Sequence, residues 1–473
     1  MLSTLNYKID FPGVCYYNQI DVWKGLCPNP NLLFKSVDLN YTNDKSDDEL
    51  INYRKKHLGK SLKLHYEEPI NIVRGEGVYL ISKNGRKYLD TINNVAHVGH
   101  ENESVVIEGQ NQMSILNTNS RYLHKSINEL AEEIIQTLPE KLNVIHFVNS
   151  GSEANELAVR MMKSHTGSND IIVSENGYHG NTNICVDISS YKFDGKGGKG
   201  APENTHVIPM PTKFNGKHKG EEACEGYINE IKNSIKNLKS KNRDLGGFII
   251  EPIISCGGQV ELPDGFLKTA YDLIRENGGI CISDEVQVGC GRLGESFWGF
   301  ELHDVIPDII TIGKPLGNGH PIGAVVCTSE IAESFANGME FFNTFGGNPV
   351  SCSIATQVLK VVKNENLQKN AKTIGNYFKN ELKNLSDKYD IIGDVRGQGL
   401  FLGIEFVDHK MNPLFRETKY IVNRLKDFGI LASLDGPNNN VIKIKPPLIF
   451  NKDNCDTFIF YLNKILDEDF LNK

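Results

Sequence analysis

Three polar side chains stand at the ends of apolar runs where a buried strand would not otherwise place them: Glu251 after GFII, Asp284 after GICIS and Lys314 after DIITIG. Each run fits a fully buried strand bounded by turn residues. Glu251 and Asp284 are 33 residues apart and Asp284 and Lys314 are 30 apart. A strand, its crossover and the next parallel strand take about 30 residues. Open parallel sheets bind ligands at the carboxyl ends of their strands, so this spacing brings two acids and a lysine to one crevice. A lysine amine there can form a Schiff base with a carbonyl, and a buried acid can keep a ring nitrogen protonated.

Pyridoxal phosphate uses that pair, and it also needs an anchor for its phosphate. Asn149–Asn155, NSGSEAN, follows the strand-like NVIHFV and opens a segment in which Ala154, Leu157, Ala158, Met161 and Met162 fall on one helical face. The unpaired amides at a helix start bind phosphate directly.

The set NSGSEAN, GYHG, SDEVQVG, TIGKPLGNG and TFGGNP, in this order, resembles the class III family of pyridoxal-phosphate-dependent aminotransferases, from about residue 47 to the C-terminus. The resemblance implies an α/β fold of the type I pyridoxal-phosphate class, with a large, mostly parallel sheet domain and a smaller α+β domain. It implies that Lys314 holds the cofactor, that Asp284 partners its pyridine nitrogen, and that Gly151 and Ser152 cradle its phosphate. Tyr178 would stack on the ring, with His179 and Glu251 among the cofactor contacts. Gln287 would lie near the phenolic oxygen, and Thr344 would reach the phosphate of a neighbouring subunit, which makes the expected unit at least a homodimer.

Five further stretches, INNVAHVGH, LNTNSRYLH, SSYKF, SCGGQ and VIKIKPPL, are similar to one branch of that family. This branch comprises the phospho-lyases acting on phosphoethanolamine or phosphohydroxylysine, often labelled alanine-glyoxylate aminotransferase 2-like. The implied function is elimination of phosphate from a phosphorylated amine; the alternative is a transaminase of alanine-glyoxylate type, and a catalytically silent scaffold is a third. Arg121, in NSRYLH, expected to meet the substrate's phosphate, and Lys443, in VIKIKPPL, are the expected substrate contacts. An arginine would clamp a carboxylate through its planar fork, and Lys443 stands where many class III transaminases carry one. GHENE (Gly99–Glu103) departs from the family, whose usual histidine and proline are replaced there, so local turn geometry is open.

Around these motifs the chain is ordinary. Of its 473 residues, 39% are hydrophobic and 23% charged, with a net charge of −8. That charge argues against nucleic acid or an anionic membrane as partner. Ten cysteines are scattered without a CxxC, so neither a zinc site nor a disulfide framework is expected, and His97 and His100 read as structural rather than metal ligands. There is no apolar run of about 18 residues, and no arginine precedes Arg54, so a cytoplasmic protein is the expectation, the mitochondrial matrix remaining open. The expected organisation is an extension over residues 1–45, small-domain residues 46–92, a large cofactor-binding domain over 93–345 and a small domain over 346–473. Residues 70–92 read as a hairpin turning at Lys83-Asn84-Gly85, Ser126–Glu129 as a capping box, and Asp194–Thr205 as a surface loop. Gly289–Gly294 is a GxGxxG without a following helix, which makes it a tight turn rather than a nucleotide site.

Overall fold

The computed structural model describes residues 45–471; the extension expected over residues 1–45 lies outside them but for its last residue. The centre of the molecule is a seven-stranded sheet. In chain order its strands are β1 (Val144–Val148), β2 (Asp170–Ser174), β3 (Thr205–Ile208), β4 (Leu245–Ile250), β5 (Ile280–Asp284), β6 (Ile309–Ile312) and β7 (Gly323–Cys327). Across the sheet they run β1-β7-β6-β5-β4-β2-β3. All are mutually parallel except β7, which is antiparallel to β1 and β6. The three runs that end in Glu251, Asp284 and Lys314 are therefore neighbours, with Ile282 of β5 paired to Ile249 of β4 and Ile309 of β6.

Strands β2, β4, β5, β6 and β7 are buried at every position, as expected of a sheet covered on both faces. Alternation sends Ile172, Phe248 and Ile310 to one face, against the helices Ala223–Ser240 and Phe266–Glu276. It sends Ile171, Ile249 and Ile282 to the other, against Ala154, Leu157, Ala158, Met161 and Met162 of the helix Gly151–Thr166. Phe266–Glu276 is the crossover from β4 to β5. The crossover from β5 to β6 has no α-helix, only turns and the short 3₁₀ segment Gly299–His303.

Three smaller sheets complete the described chain, one of them only the antiparallel pair Ile253–Ile254 and Val260–Glu261. Ile72–Glu76, Tyr79–Ser82 and Lys87–Asp90 form a meander extended by Ile430–Leu431. The expected turn is present, with Gly85 at φ 80°, but a second turn at Gly77, φ 57°, splits the first arm, so the hairpin is three strands rather than two. Ile392–Gln398, Phe401–Phe406, Val441–Ile444 and Ser433–Asp435 form an antiparallel sheet. Their apolar faces pack with the helices Leu367–Lys388, Phe415–Asp427 and Lys452–Leu466 in a second core.

The expected capping box at Ser126 is not formed. The helix begins one residue earlier, at Lys125, and its cap is His124, whose ring Nδ1 accepts from the Ser126 amide at 3.2 Å. Ser126 is buried inside the first turn with its hydroxyl 2.7 Å from the same ring nitrogen, so an imidazole acceptor displaces the hydroxyl from the role. In GHENE, Glu101 takes φ 55° and His100 packs on Asp90 at 2.8 Å.

The GxGxxG run is a turn, and at its centre lies a fully buried arginine. Arg292 Nη1 donates to the carbonyls of Leu400 at 3.0 Å and Pro446 at 2.8 Å, and Nη2 reaches Asn94 O and His97 Nδ1. Among the described residues no carboxylate pairs with it. Burial pulls its guanidinium down to about 9, and the same burial, with the Arg292 charge, pulls His97 down to about 3. No helix among the described residues is long and apolar enough to cross a membrane.

Candidate active site

The crevice that collects the sequence motifs, about 290 Å³, opens at the carboxyl ends of β1, β5 and β6. Asn149 to Ser152, Asn155, Tyr178, His179, Asp284, Gln287 and Lys314 line it. Gly151 and Ser152 are the first residues of their helix, capped by Ser150, whose hydroxyl accepts the Glu153 amide at 3.1 Å. That leaves the earlier amides of the turn free for an anion. The wall here has no spare room. A Cβ on Gly151 would lie 2.7 Å from Val286 Cγ1, and one on Gly180, at φ 135°, would lie 2.6 Å from Ser152 Oγ.

Asp284, the last residue of β5, is buried and firmly held. Its Oδ2 accepts from Asn155 Nδ2 at 2.8 Å and faces His179 Nδ1 at 2.7 Å, while Oδ1 accepts the Val286 amide at 3.1 Å. Asn155 is fixed in turn by Thr311 Oγ1, which donates to its Oδ1 at 2.7 Å, and by the His179 carbonyl, which accepts from its Nδ2 at 2.8 Å. His179 Nε2 is buried without a hydrogen-bond partner among the described residues. Lys314 begins a 3₁₀ turn closed by Asn318, at φ 48°. The Asn318 side chain accepts the Val98 amide and donates to the Gly99 carbonyl, both at 2.9 Å, which ties the turn to the 97–100 segment. Lys314 is half-buried, and its amine makes no hydrogen bond or ion pair with the described residues.

Gln287 Oε1 accepts from Asn94 Nδ2 at 2.7 Å. Tyr178 meets Tyr191 edge-on, with ring centroids 5.7 Å apart. Glu251 stands behind this wall rather than in it: Oε1 accepts the Ser255 hydroxyl at 2.5 Å and Oε2 the Tyr178 amide at 3.4 Å. Burial, then the negative charge of Asp284, raises the Glu251 carboxyl above its ordinary range. Three further expected contacts do not line the crevice of their own chain. Arg121 is exposed, with Nη2 2.9 Å from Glu340 Oε1 and its guanidinium 3.8 Å over the Phe342 ring. Thr344 is exposed nearby in sequence. Lys443 lies 3.6 Å from Asp435 Oδ2.

Asn155 and Thr311 escaped the sequence reading although NSGSEAN contains the first. An uncharged amide gives no chemical signal until its bond to Asp284 is seen. No group of three His, Cys, Asp or Glu among the described residues could hold a metal ion. A larger cleft, about 520 Å³, lies between the helices Glu103–Ile115, Lys125–Ile135 and Pro349–Asn364; none of its lining residues belongs to NSGSEAN, GYHG, SDEVQVG, TIGKPLGNG or TFGGNP.

Pyridoxal phosphate fits the donor set. The ring nitrogen would meet Asp284, the aldehyde Lys314 and the phosphate the helix start, while the close packing at Gly151 and Gly180 leaves the amides uncovered by side chains. Sheet order, the reversed β7 and this crevice define a fold type I pyridoxal-phosphate protein of the α/β class. Residues 63–466 match the family model described as aminotransferase class-III, and the chain belongs to that pyridoxal-phosphate-dependent enzyme family. It is 44% identical over 431 residues to the alanine–glyoxylate aminotransferase 2-like protein of Drosophila melanogaster, covering 89% of this chain and 87% of that one. It is 37% identical over 440 residues to ethanolamine-phosphate phospho-lyase homolog 1 of Caenorhabditis elegans, covering 89% and 94%. Among solved structures, a phospholyase from Arthrobacter in complex with phosphoethanolamine superposes with a TM-score of 0.85 at 35% identity, covering 88% of this chain and 99% of that one.

Proposed function

We propose that this enzyme is a phospho-lyase that eliminates phosphate from a phosphorylated amine, phosphoethanolamine or phosphohydroxylysine. The observation that carries the reading is the cationic end of the strand Val441–Ile444. Lys443 and Lys445 share the single carboxylate of Asp435. An α-carboxylate is best gripped by an arginine fork, whereas a lysine ammonium binds a phosphate as a point charge. The likeness to the Arthrobacter phospholyase supports the same choice.

Pyridoxal phosphate, when bound, supplies a protonated ring that takes up the electron pair left at the substrate's Cα. The chain's own residues do the rest. Lys314 holds the cofactor, then yields to the substrate amine and takes the Cα proton on Nζ. Asp284, fixed by donors on both its oxygens, would hold the proton on the ring nitrogen. Gly151 and Ser152 would bind the cofactor phosphate, Tyr178 would stack on its ring with His179 among the contacts and Glu251 fixing the Tyr178 backbone, and Gln287 would lie near its phenolic oxygen. Phosphate then leaves with the electrons of the Cβ–O bond, and water releases ammonia and an aldehyde, acetaldehyde in the case of phosphoethanolamine.

Arg121 and Thr344 act on this reading in the pocket of a second copy. The support is an exposed apolar surface around them: Leu123, Tyr122, Met339, Phe342 and Phe345, a patch suited to a homodimer contact. We propose likewise that residues 93–345 act as the cofactor domain, with 46–92 and 346–473 closing over it. The test is product analysis with phosphoethanolamine and phosphohydroxylysine side by side. Phosphate and aldehyde or semialdehyde are expected in equal amounts. Alanine–glyoxylate exchange without phosphate release would assign the transaminase instead.

A further inference from the structure

Lys445 is 3% exposed, and its ammonium has no hydrogen bond to any described residue. An ammonium carries three donors, and buried polar groups are almost always satisfied. Its nearest anion is Asp435 Oδ2, at 3.8 Å, outside hydrogen-bond range. Its other neighbour is the face of Phe401, 4.8 Å from Nζ to ring centroid. Asp435 cannot do better for it. The same oxygen accepts from Gln259 Nε2 at 3.1 Å and faces Lys443 Nζ at 3.6 Å, so one carboxylate oxygen serves three donors.

The charge does not balance. Two ammonium groups face one carboxylate, and the nearby thiol of Cys256 supplies no second anion, because burial pushes it up to about 12. The strand explains the pairing: Lys443 and Lys445 are two residues apart, and alternation turns both to one side. The segment is also rigid. The Lys445 amide donates to Thr91 O at 2.6 Å, and the next carbonyl, Pro446 O, accepts from Arg292.

The location points to the substrate. The Lys445 amide bonds Thr91, three residues before Asn94, whose side chain bonds Gln287 in the crevice wall, so Lys445 is tied to the segment that borders the crevice.

We propose that Lys445, with Lys443 beside it, is the subsite for the substrate's phosphate group. This rests on the phospho-lyase reading and assigns to Lys445, not to Lys443 alone, the main contact. A phosphate monoester brings two negative charges and three terminal oxygens. It would neutralise the excess cation, fill the unused donors of Lys445 and release Asp435 from serving two lysines. Charge held there also favours bond breaking at Cβ, because negative charge grows on the departing oxygen. Nothing comparable awaits a neutral substrate tail.

The test uses the holoenzyme, so that the cofactor's own phosphate occupies the helix start, and titrates inorganic phosphate by calorimetry. Lys445→Met is expected to weaken phosphate at least about tenfold, the value of one charge-assisted hydrogen bond, with Lys443→Met weakening it less. Asp435→Asn is the discriminating variant. If the carboxylate merely completes a structural ion pair, its loss leaves affinity the same or lower; if it competes with the ligand, phosphate binds more tightly. Unchanged affinity in Lys445→Met, or unchanged or weaker binding in Asp435→Asn, overturns the subsite. Should Lys445→Met fail to fold, Lys443→Met and Asp435→Asn decide by the same signs.

Turnover separates this proposal from the reading beneath it. Wild-type phosphate release with an unaltered KM for phosphoethanolamine in Lys445→Met removes the subsite and leaves the lyase. Phosphate binding that depends on Lys445, in an enzyme that exchanges amino groups without releasing phosphate, keeps the subsite and removes the lyase.

Discussion

Replacing Asn155 with alanine would test how Asp284 is positioned without touching Asp284 itself. The amide makes three buried hydrogen bonds: to Asp284 Oδ2 and the His179 carbonyl as donor, each at 2.8 Å, and from Thr311 Oγ1 as acceptor, at 2.7 Å. In Asn155→Ala the Thr311 hydroxyl can turn to Asp284 Oδ1, already 3.4 Å away, so one group recovers. The His179 carbonyl is orphaned, which costs about 1–3 kcal/mol, and the charged Asp284 loses a bond worth about 1.5–3 kcal/mol. The fold should therefore lose about 2.5–6 kcal/mol in urea denaturation. The share that falls on Asp284 should appear separately, as cofactor affinity lowered about 10- to 100-fold, read by absorbance titration of the refolded apo-protein. Stability lost with cofactor affinity unchanged would refute the claim that Asn155 acts through Asp284. An isosteric Asn155→Asp, which sets a second carboxylate against Asp284, should lower affinity further.

Borohydride should fix the cofactor on Lys314, and Lys314→Ala should show neither label nor turnover; label on another lysine would refute the assignment. Gly151→Ala drives a methyl to 2.7 Å from Val286 Cγ1, so it should cost about 1–3 kcal/mol of stability and weaken the cofactor, as a melting curve with and without it would show. If Thr344 serves the neighbouring pocket, mixing Lys314→Ala chains with Thr344→Ala chains should restore activity that neither has alone, and no recovery after subunit exchange would place it elsewhere. Burial draws Lys445 from its ordinary 10.5 to about 8, with Asp435 and Cys256 opposing and Lys443 and Lys314 assisting. Inorganic phosphate affinity should therefore fall as pH rises through about 8. Between that value and 10.5 the unfolded lysine keeps a proton that the folded one has lost, so this group's contribution to stability rises with pH. Lys445→Met should flatten both dependences.

What could be read beforehand follows from how each residue announces itself. Glu251, Asp284 and Lys314 interrupt apolar runs at the spacing of parallel strands, and the sheet sets those strands side by side. The Gly151 helix declared itself by period, and its five apolar positions are all buried. Long-range partners left no such trace. Nothing in the spacing says that Asn94 will meet Gln287 or that Thr311 will meet Asn155, because those bonds exist only once separate segments are folded together. The Ser126 cap failed for a related reason: a histidine one residue before the helix is a poor statistical cap, yet its ring nitrogen reaches the amide. Lys445 was visible as the second lysine of VIKIKPPL, but a lysine two residues from another reads as a solvated edge until its burial is known.

The buried arginine at the centre of the GxGxxG turn also sets a timetable. Arg292 keeps its charge in the interior only because carbonyls from Asn94, Leu400 and Pro446 converge on it. With any one of those segments absent, a cation would be sealed in short of acceptors, a state costing several kcal/mol. On a ribosome these pieces emerge far apart in time, and Pro446 is the last of them. The large sheet can be synthesised and paired well before then, but the crevice floor beside Asn94 and the lysine strand cannot lock until Pro446 has been made. A nascent or truncated chain ending before Pro446 is therefore expected to hold an open, protease-sensitive site on an otherwise assembled sheet.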